Sequence, residues 1–486
     1  MNLWFKKSIQ DFYPSVQSIG DAWSSRFTRL ESRKTFSEEQ RSILVDVLKS
    51  QYAGVETTAR VESNINMLLS ADTYTITTGQ QMVTGMGPWM ILHKLATAIH
   101  LAEKWKLEFP EQHFVPVFWM ATEDHDWPEI AQIQSGSKRR SWTTLHTGAV
   151  GRMPCDETVD ALLKWNEDFP SDAFPEEVIR IYKQSSSLSG AYRQLVNHYF
   201  KESGLVVLDA DDVRLKISAL PVFEQDALHS SLYKTAQRLG VASGEIEIKT
   251  CNLFSLENKE RLRLDPSQYE VLAKNAPGDI SPNVALRIMY QEHILPNVVY
   301  VGGPSEQRYW KQVMTCMEEM QIPHAAFALR ERGCVIPERL MQKWGEKGFD
   351  ESAFQWNEKQ LKDRLLAHWG ELPLGSLGEK LSKLYQEARE SVQNEDPTLL
   401  ASLEGELKKA QSGIEQIRAK IDRVRKRKDA ENMQWVERWV EVVSPLNALQ
   451  ERNNYWLIAH HKKAIPFQEW LSMIDPMDPS FKIWIY

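Results

Sequence analysis

The sequence predicts an α/β protein: a Rossmann-like parallel sheet core interrupted by two small β insertions, followed by an α-helical coiled-coil domain. Three observations predict this class. Short β-branched or apolar runs alternate with long amphipathic stretches, as in TYTIT, GPWMILHKLATAIHLAEKW and HFVPVFWMA, which is the pattern of βαβ units. Further apolar runs, GLVVLDADD at 204–212 and NVVYVGG at 297–303, end in acidic or glycine residues. Late in the chain Leu403, Leu407, Ala410, Ile414, Ile417, Ile421 and Val424 are spaced alternately by four and three, a heptad seam.

In chain order, residues 1–70 read as a helical lead-in. SEEQRSILVDVLKSQYAG opens with the capping-box pattern Ser37 to Gln40 and continues with apolar residues at helical spacing. Residues 71–225 are expected to form the first half of the core, with a hairpin insertion near 135–150, where SGSKRRSWTTLHTG has hairpin character. Residues 226–275 hold the second insertion, in which 244–265 alternates with period two around a turn near Asn258. The second half of the core follows at 276–335. Residues 336–445 form the coiled-coil domain. There Leu374, Leu377, Leu381, Leu384 and Ala388 match the later heptads across a break at Pro397, which predicts an antiparallel helical hairpin. Its apolar stripe would serve homodimerisation. Residues 446–486 are expected to pack back on the core.

Composition limits the function classes. A chain of 486 residues exceeds what one hydrophobic core usually supports, so several domains are expected. A net charge of -8 argues against a nucleic-acid partner, which wants a basic face. No apolar run approaches the roughly 18 residues that span a bilayer, and the start MNLWFKKSIQDFYPSV lacks a long apolar core with a small-residue cleavage site. No membrane partner is expected, and the expected compartment is the cytoplasm. Cys155, Cys251, Cys316 and Cys334 lie far apart, so they read as reduced, buried small residues and no metal site is assigned.

Ligands of open α/β sheets sit at the carboxyl ends of strands, so residues leaving strands are the candidates. In ITTGQQMVTGMGP a glycine-rich turn feeds a helix, an arrangement suited to a phosphate or carboxylate and equally to a plain tight connection. In WMATEDHDWPEI, Glu123, Asp124, His125 and Asp126 stand together after an apolar strand; this suits acid-base work, an ammonium or a metal, although Asp126 also fits a helix N-cap. Asp209, Asp211 and Asp212 could meet ribose hydroxyls or an amine, or begin the next helix. VGGPSEQRYW offers Gly302, Gly303, Glu306 and Tyr309, a mixture suited to a nucleotide or sugar pocket. In LQERNNYW, Arg452, Asn453 and Tyr455 could clamp a second nucleotide.

Taken in order, TGQQMVTGMGPWMILHKLATAI, PVFWMATEDHDWPEI, SPNVALRIMYQEHILPNVVYVGGPSEQRYW and LNALQERNNYW resemble the cysteine-adding enzymes of bacillithiol biosynthesis, also described as cysteine ligases. The resemblance spans almost the whole chain, coiled coil included. It implies a Rossmann-type core with connecting-peptide insertions, a dimerising coiled coil, and the last step of bacillithiol synthesis. In that step L-cysteine is joined through its carboxyl to the amine of glucosaminyl-malate. An amine does not attack a free carboxylate usefully at neutral pH, so activation by ATP, most simply as an acyl-adenylate, is expected. On this reading Thr78, Gly79, Gln80, Gln81, Thr84 and Gly85 supply donors at the helix N-terminus, and His125 is a base or phosphate contact oriented by Asp124 or Asp126. Glu123 or Asp126 faces the cysteine ammonium. Gly302, Gly303, Glu306 and Tyr309 border nucleotide or sugar with Asn283 and Arg287, the latter being the better partner for the malyl carboxylates. The alternatives are a nucleotide-binding scaffold or regulator of the same pathway whose coiled coil recruits a partner, and a sugar- or phosphate-handling transferase that uses the fold without adenylation.

Overall fold

The computed structural model describes residues 2–7, 36–257, 260–370, 374, 376–453, 455–461, 467–478 and 480–486. Its strands are β1 (Asn2–Lys7), β2 (Thr73–Gln81), β3 (His113–Ala121), β4 (Gln132–Ser135), β5 (Lys138–Ser141), β6 (Val206–Asp209), β7 (Leu253–Ser255), β8 (Leu262–Arg263), β9 (Ile280–Pro282), β10 (Asn297–Gly302), β11 (Ala326–Leu329), β12 (Gly333–Ile336) and β13 (Phe481–Ile485). Two compact units result: Met1–Val335 with Ala448–Tyr486, and Ile336–Asn447.

The first unit is built on a five-stranded sheet in the order β11, β10, β2, β3, β6, with every neighbouring pair parallel. Parallel sheets are covered on both faces. Accordingly Thr73, Thr75 and Thr77 on one face of β2 and Tyr74 and Ile76 on the other are all buried. Helix Trp89–Glu108 carries the chain from β2 to β3 and is buried on nearly all sides. The hairpin is tighter and earlier than 135–150: β4 and β5 pair from Gln132 opposite Ser141 to Ser135 opposite Lys138, turning at Gly136, whose φ is 60°. The second insertion forms a small antiparallel sheet, β7 between β8 and β9, which reaches past residue 275. Its expected turn at Asn258 lies outside the described residues. Among the described residues no helix is long and apolar enough to cross a membrane.

The N-terminal reading needs one correction. Helix Glu38–Gln51 carries the complete capping box between Ser37 and Gln40, and helix Ala59–Met67 follows. Asn2–Lys7, however, is a strand, paired antiparallel with β13 from Asn2 opposite Ile485 to Lys7 opposite Phe481. Its partner comes from the far end of the sequence, so local periodicity carries no sign of it.

Residues 448–486 of this unit contribute the fully buried Trp456, Trp470 and Trp484. They also enclose His93, whose ring stacks on Trp470 at 5.4 Å and is flanked by Trp89 and Trp484. His93 Nδ1 lies 3.4 Å from Glu451, while Arg330 donates to both oxygens of that carboxylate at 3.0 and 2.8 Å. Burial outweighs the carboxylate and lowers the His93 pKa to about 4. As pH falls below 6.5 the unfolded chain takes up the proton first, so stability present above pH 6.5 is lost towards pH 4. The loss amounts to about 3 kcal/mol at roughly 1.4 kcal/mol per pKa unit. Urea unfolding at pH 7 and pH 4.5 is expected to show this step, and His93→Phe to flatten it. An unchanged pH dependence in the variant would sink the assignment.

The second unit contains helices Leu377–Glu395 and Leu400–Lys428 joined through a turn at Pro397–Leu399. Ser382 bonds Gln411 and Arg389 pairs with Glu404, so the helices run antiparallel. Along the seam Leu384, Ile417 and Val424 stay 62%, 49% and 40% exposed, so the hairpin leaves part of its apolar stripe uncovered. The well-packed core of this unit lies elsewhere, where Trp344 stacks on Trp439 at 4.0 Å beside Trp435, Phe349 and Phe354.

Candidate active site

From β2 the sheet extends through β3 to β6 on one side and through β10 to β11 on the other, so strand order reverses between β2 and β10. A crevice opens outside the carboxyl ends of strands at such a point. Here it is a cavity of about 240 Å³. Gly79, Gln80 and Gln81 at the end of β2, Trp119 and Ala121 of β3 and Tyr300 of β10 line it. Asp124 and Glu129 enter from the loop and short helix after β3, Lys94 from helix Trp89–Glu108, Arg287 and Gln291 from helix Val284–Ile294, and Glu306 and Tyr309 from helix Pro304–Glu319.

Two ion clusters organise the walls. Asp124 receives Arg287 Nη1 at 3.0 Å, Arg261 Nη1 at 3.2 Å and the amide of Gln81. Burial alone would raise its pKa, but the two guanidiniums hold it below the usual carboxylate range. Opposite, Lys94 bonds the Gly79 carbonyl at 2.8 Å and Gln80 Oε1 at 2.9 Å and forms an ion pair with Glu306, which also accepts the Tyr300 hydroxyl at 3.2 Å. Burial draws the Lys94 pKa down against the pull of Glu306. Tyr300 stacks on Trp310 at 3.8 Å, and its hydroxyl lies 3.2 Å from where a side chain at Gly79 would begin, a tight approach that a glycine leaves relaxed.

The expected site residues divide sharply. Gly79, Gln80, Gln81, Asp124, Arg287, Glu306 and Tyr309 line the cavity. The glycine-rich turn beyond them does not. Thr78 Oγ1 donates to the Val301 carbonyl and Thr84 Oγ1 to that of Ile130; Gly85 donates its amide to the Tyr182 hydroxyl. Gly85 has φ of 61°, and a Cβ there would overlap the Phe174 ring, so this glycine serves packing instead of anion binding. Asn283 is the N-cap of helix Val284–Ile294, accepting from Ala285 and Leu286. Gly302 packs against Phe327, and Gly303 caps helix Pro304–Glu319.

In the acidic cluster, Glu123 is buried with Lys216 Nζ at 2.7 Å, and the same ammonium bonds Asp211 at 2.6 Å. Asp126 is exposed and caps helix Trp127–Ile130 by accepting from the Glu129 amide, and His125 is exposed outside the cavity wall. Tyr455 is buried, its hydroxyl donated to Gln132 and its ring against Phe174, so it presents no platform to a second nucleotide with Arg452 and Asn453. Sequence reasoning missed Lys94, Glu129, Arg261, Gln291 and Tyr300. A lysine inside the apolar run WMILHKLATAI was the available signal, since side chains on a helix lean towards its N-terminus. Among the described residues no group of three His, Cys, Asp or Glu side chains is arranged to hold a metal ion, and all four cysteines are buried and free.

Comparison with known proteins places the whole chain. The family model described as "Bacillithiol biosynthesis BshC, N-terminal Rossmann-like domain" matches residues 3–331, and "Bacillithiol biosynthesis BshC, C-terminal coiled-coil domain" matches residues 335–485. Proteins named "Putative cysteine ligase BshC" align over most of both partners. The one from Flavobacterium psychrophilum is 27% identical over 92% of this chain and 88% of its own length. The Flavobacterium johnsoniae protein is 26% identical over 99% and 97%, and that of Cytophaga hutchinsonii 28% over 91% and 87%. A crystal structure of Plasmodium falciparum tryptophanyl-tRNA synthetase aligns at 10% identity over 94% of this chain and 96% of its own, with a TM-score of 0.24, too low to argue from. With both domain models matched in order over nearly its full length, the chain belongs to the BshC family of bacillithiol biosynthesis.

Proposed function

We propose that the protein is a carbon-nitrogen ligase that joins L-cysteine, through its carboxyl, to the amine of glucosaminyl-malate, with ATP as the activating substrate. The observation that carries this reading is the pair of cations at the strand-order reversal. Lys94 and Arg287 line one small cavity, and each is held by a carboxylate that lines the same cavity. Such a wall suits the carboxylates of a malyl group: Arg287 uses Nη1 on Asp124 and keeps further N–H donors for an incoming carboxylate, and Lys94 adds a point charge. At about 240 Å³ the cavity is smaller than the roughly 300–1,000 Å³ of pockets for drug-sized ligands. It therefore suits one compact polar part of the substrates, and the nucleotide is assigned to the open side of the crevice.

The chemistry asks for three things here: a fixed position for the acceptor, charge opposite its carboxylates, and a group that takes the proton when its amine attacks the activated cysteine carboxyl. The uncovered stripe at Leu384, Ile417 and Val424 supports a homodimer through the coiled coil, which equilibrium sedimentation would test. For the reaction itself, the purified protein is incubated with L-cysteine and glucosaminyl-malate, with and without ATP, and products are read by mass spectrometry. ATP-dependent bacillithiol with AMP is the expected result. Product without ATP would remove ATP from the proposal. No product from folded protein under either condition would sink the ligase reading and favour the scaffold alternative.

A further inference from the structure

Of the three carboxylates on the cavity wall, two are taken. Asp124 is held by Arg287, Arg261 and Gln81, and Glu306 by Lys94 and Tyr300. The third, Glu129, pairs with no cation and accepts no hydrogen bond among the described residues, although it lines the same cavity. A half-buried carboxylate with no protein partner, on the wall of a cavity, is open to a donor from a ligand. A second unpaired acceptor belongs to the same wall. Gln81 donates its amide nitrogen to Asp124, which fixes the flip of the side chain, because the reverse flip would set oxygen against carboxylate. Its Oε1 is then buried with no partner among the described residues. Two acceptors without a donor describe a site for a group rich in donors and lacking acceptors, and an ammonium is that group.

We propose that Glu129 receives the amine of glucosaminyl-malate and is the base that deprotonates it. The inference rests on the ligase reading above and names the residue that reading leaves open. In the step, an N–H bond of the substrate ammonium breaks and an O–H bond forms on Glu129. The electron pair stays on nitrogen, which attacks the activated cysteine carboxyl carbon. As the C–N bond forms, the C–O bond to the activating phosphate breaks, AMP leaves with that bonding pair, and the second amine proton is released to solvent. The charged groups around Glu129 divide by sign. Asp126 and Asp124 come from its own loop, Lys94 from helix Trp89–Glu108 and Arg287 from helix Val284–Ile294. Burial first, then the two aspartates, raise the Glu129 pKa against the two cations. A raised value brings a carboxyl nearer to the working pH of a base. Asp124, held low by its guanidiniums, suits a fixed anchor instead.

The test uses the full chain and Glu129→Gln, which keeps shape and removes charge, with Glu129→Asp as the conservative variant and melting temperatures confirming folding. Calorimetric titration with glucosaminyl-malate, and with its analogue bearing a hydroxyl in place of the amine, is done without cysteine or ATP. The wild type is expected to prefer the amine by about 10-fold or more, and Glu129→Gln to lose that preference. In the complete reaction Glu129→Gln is expected to lower kcat by about 10²-fold or more near neutral pH. The defect should shrink as pH rises, because an amine already free needs no base, and Glu129→Asp should recover part of the rate. A Glu129→Gln protein that keeps the amine preference, or whose defect is the same at every pH, overturns the proposal. A wild type that prefers the amine but forms no product refutes the ligase reading and leaves the amine site standing. A wild type that binds neither compound ends both.

Discussion

Arg287→Met is expected to raise the KM for glucosaminyl-malate by about 10²-fold or more, with kcat changed far less. The magnitude follows from two charge-assisted hydrogen bonds at roughly 1.5–3 kcal/mol each. The split follows from what those bonds hold: the malyl carboxylates do not change charge or bonding in the reaction, so they are held equally in the ground and transition states and their loss appears as affinity. The fold should survive. Asp124 keeps Arg261 at 3.2 Å and the Gln81 amide after Arg287 is removed, so the carboxylate is weakened in its pairing and not orphaned. Arg287→Lys preserves the charge without the planar fork and should fall between variant and wild type. Steady-state kinetics with glucosaminyl-malate varied at saturating cysteine and ATP is the measurement, and an unchanged KM would remove Arg287 from the substrate site.

Arg287 entered through the family resemblance, Lys94 left a signal as a lysine within an apolar helical run, and Glu129 left none, which reflects what local pattern carries. Strands β2, β3 and β10 are legible because β-branched and apolar runs leave a periodic record. The order in which they assemble is not, and the cavity exists because β2 and β10 are neighbours. Acidic density after β3 drew attention to Glu123 through Asp126, yet density says nothing about pairing. Glu123 is neutralised by Lys216 from a later helix, Asp126 caps a turn, and the cavity-wall carboxylate without a cation among the described residues is Glu129, which reads in sequence as an ordinary helix residue. The glycine-rich turn misled in the same way. Gly85 is demanded by Phe174 and a positive φ, and Phe174 belongs to no motif near it. Conformational need and ligand need select the same residue, and the packing partner decides between them.

The pairing of Glu123 makes a stability prediction of comparable size. Lys216 is fully buried and its ammonium meets Glu123 at 2.7 Å, Asp211 at 2.6 Å and the Gly278 carbonyl at 2.8 Å. Asp211 has a second cation, Arg152, at 2.7 Å; for Glu123, 8% exposed, Lys216 is the cation within ion-pair distance among the described residues. Lys216→Met is therefore expected to destabilise the protein by about 3–5 kcal/mol, the cost of leaving a buried charge uncompensated. Already in the intact protein burial raises the Glu123 pKa and Lys216 opposes it. Without the lysine the folded-state value rises further, and the carboxyl can escape by taking a proton. Because that raised folded value exceeds the unfolded one, stability of the variant falls as pH climbs from the unfolded pKa through the folded one. The gap from wild type should thus be wider at pH 8 than at pH 5. Urea unfolding at both values measures it, and the double variant Lys216→Met with Glu123→Gln, which carries no orphan charge, should recover part of the loss and its pH dependence. An equal deficit at both pH values would mean that packing around the lysine stem dominates. In that case Glu123 would return as a candidate for the chemistry next door.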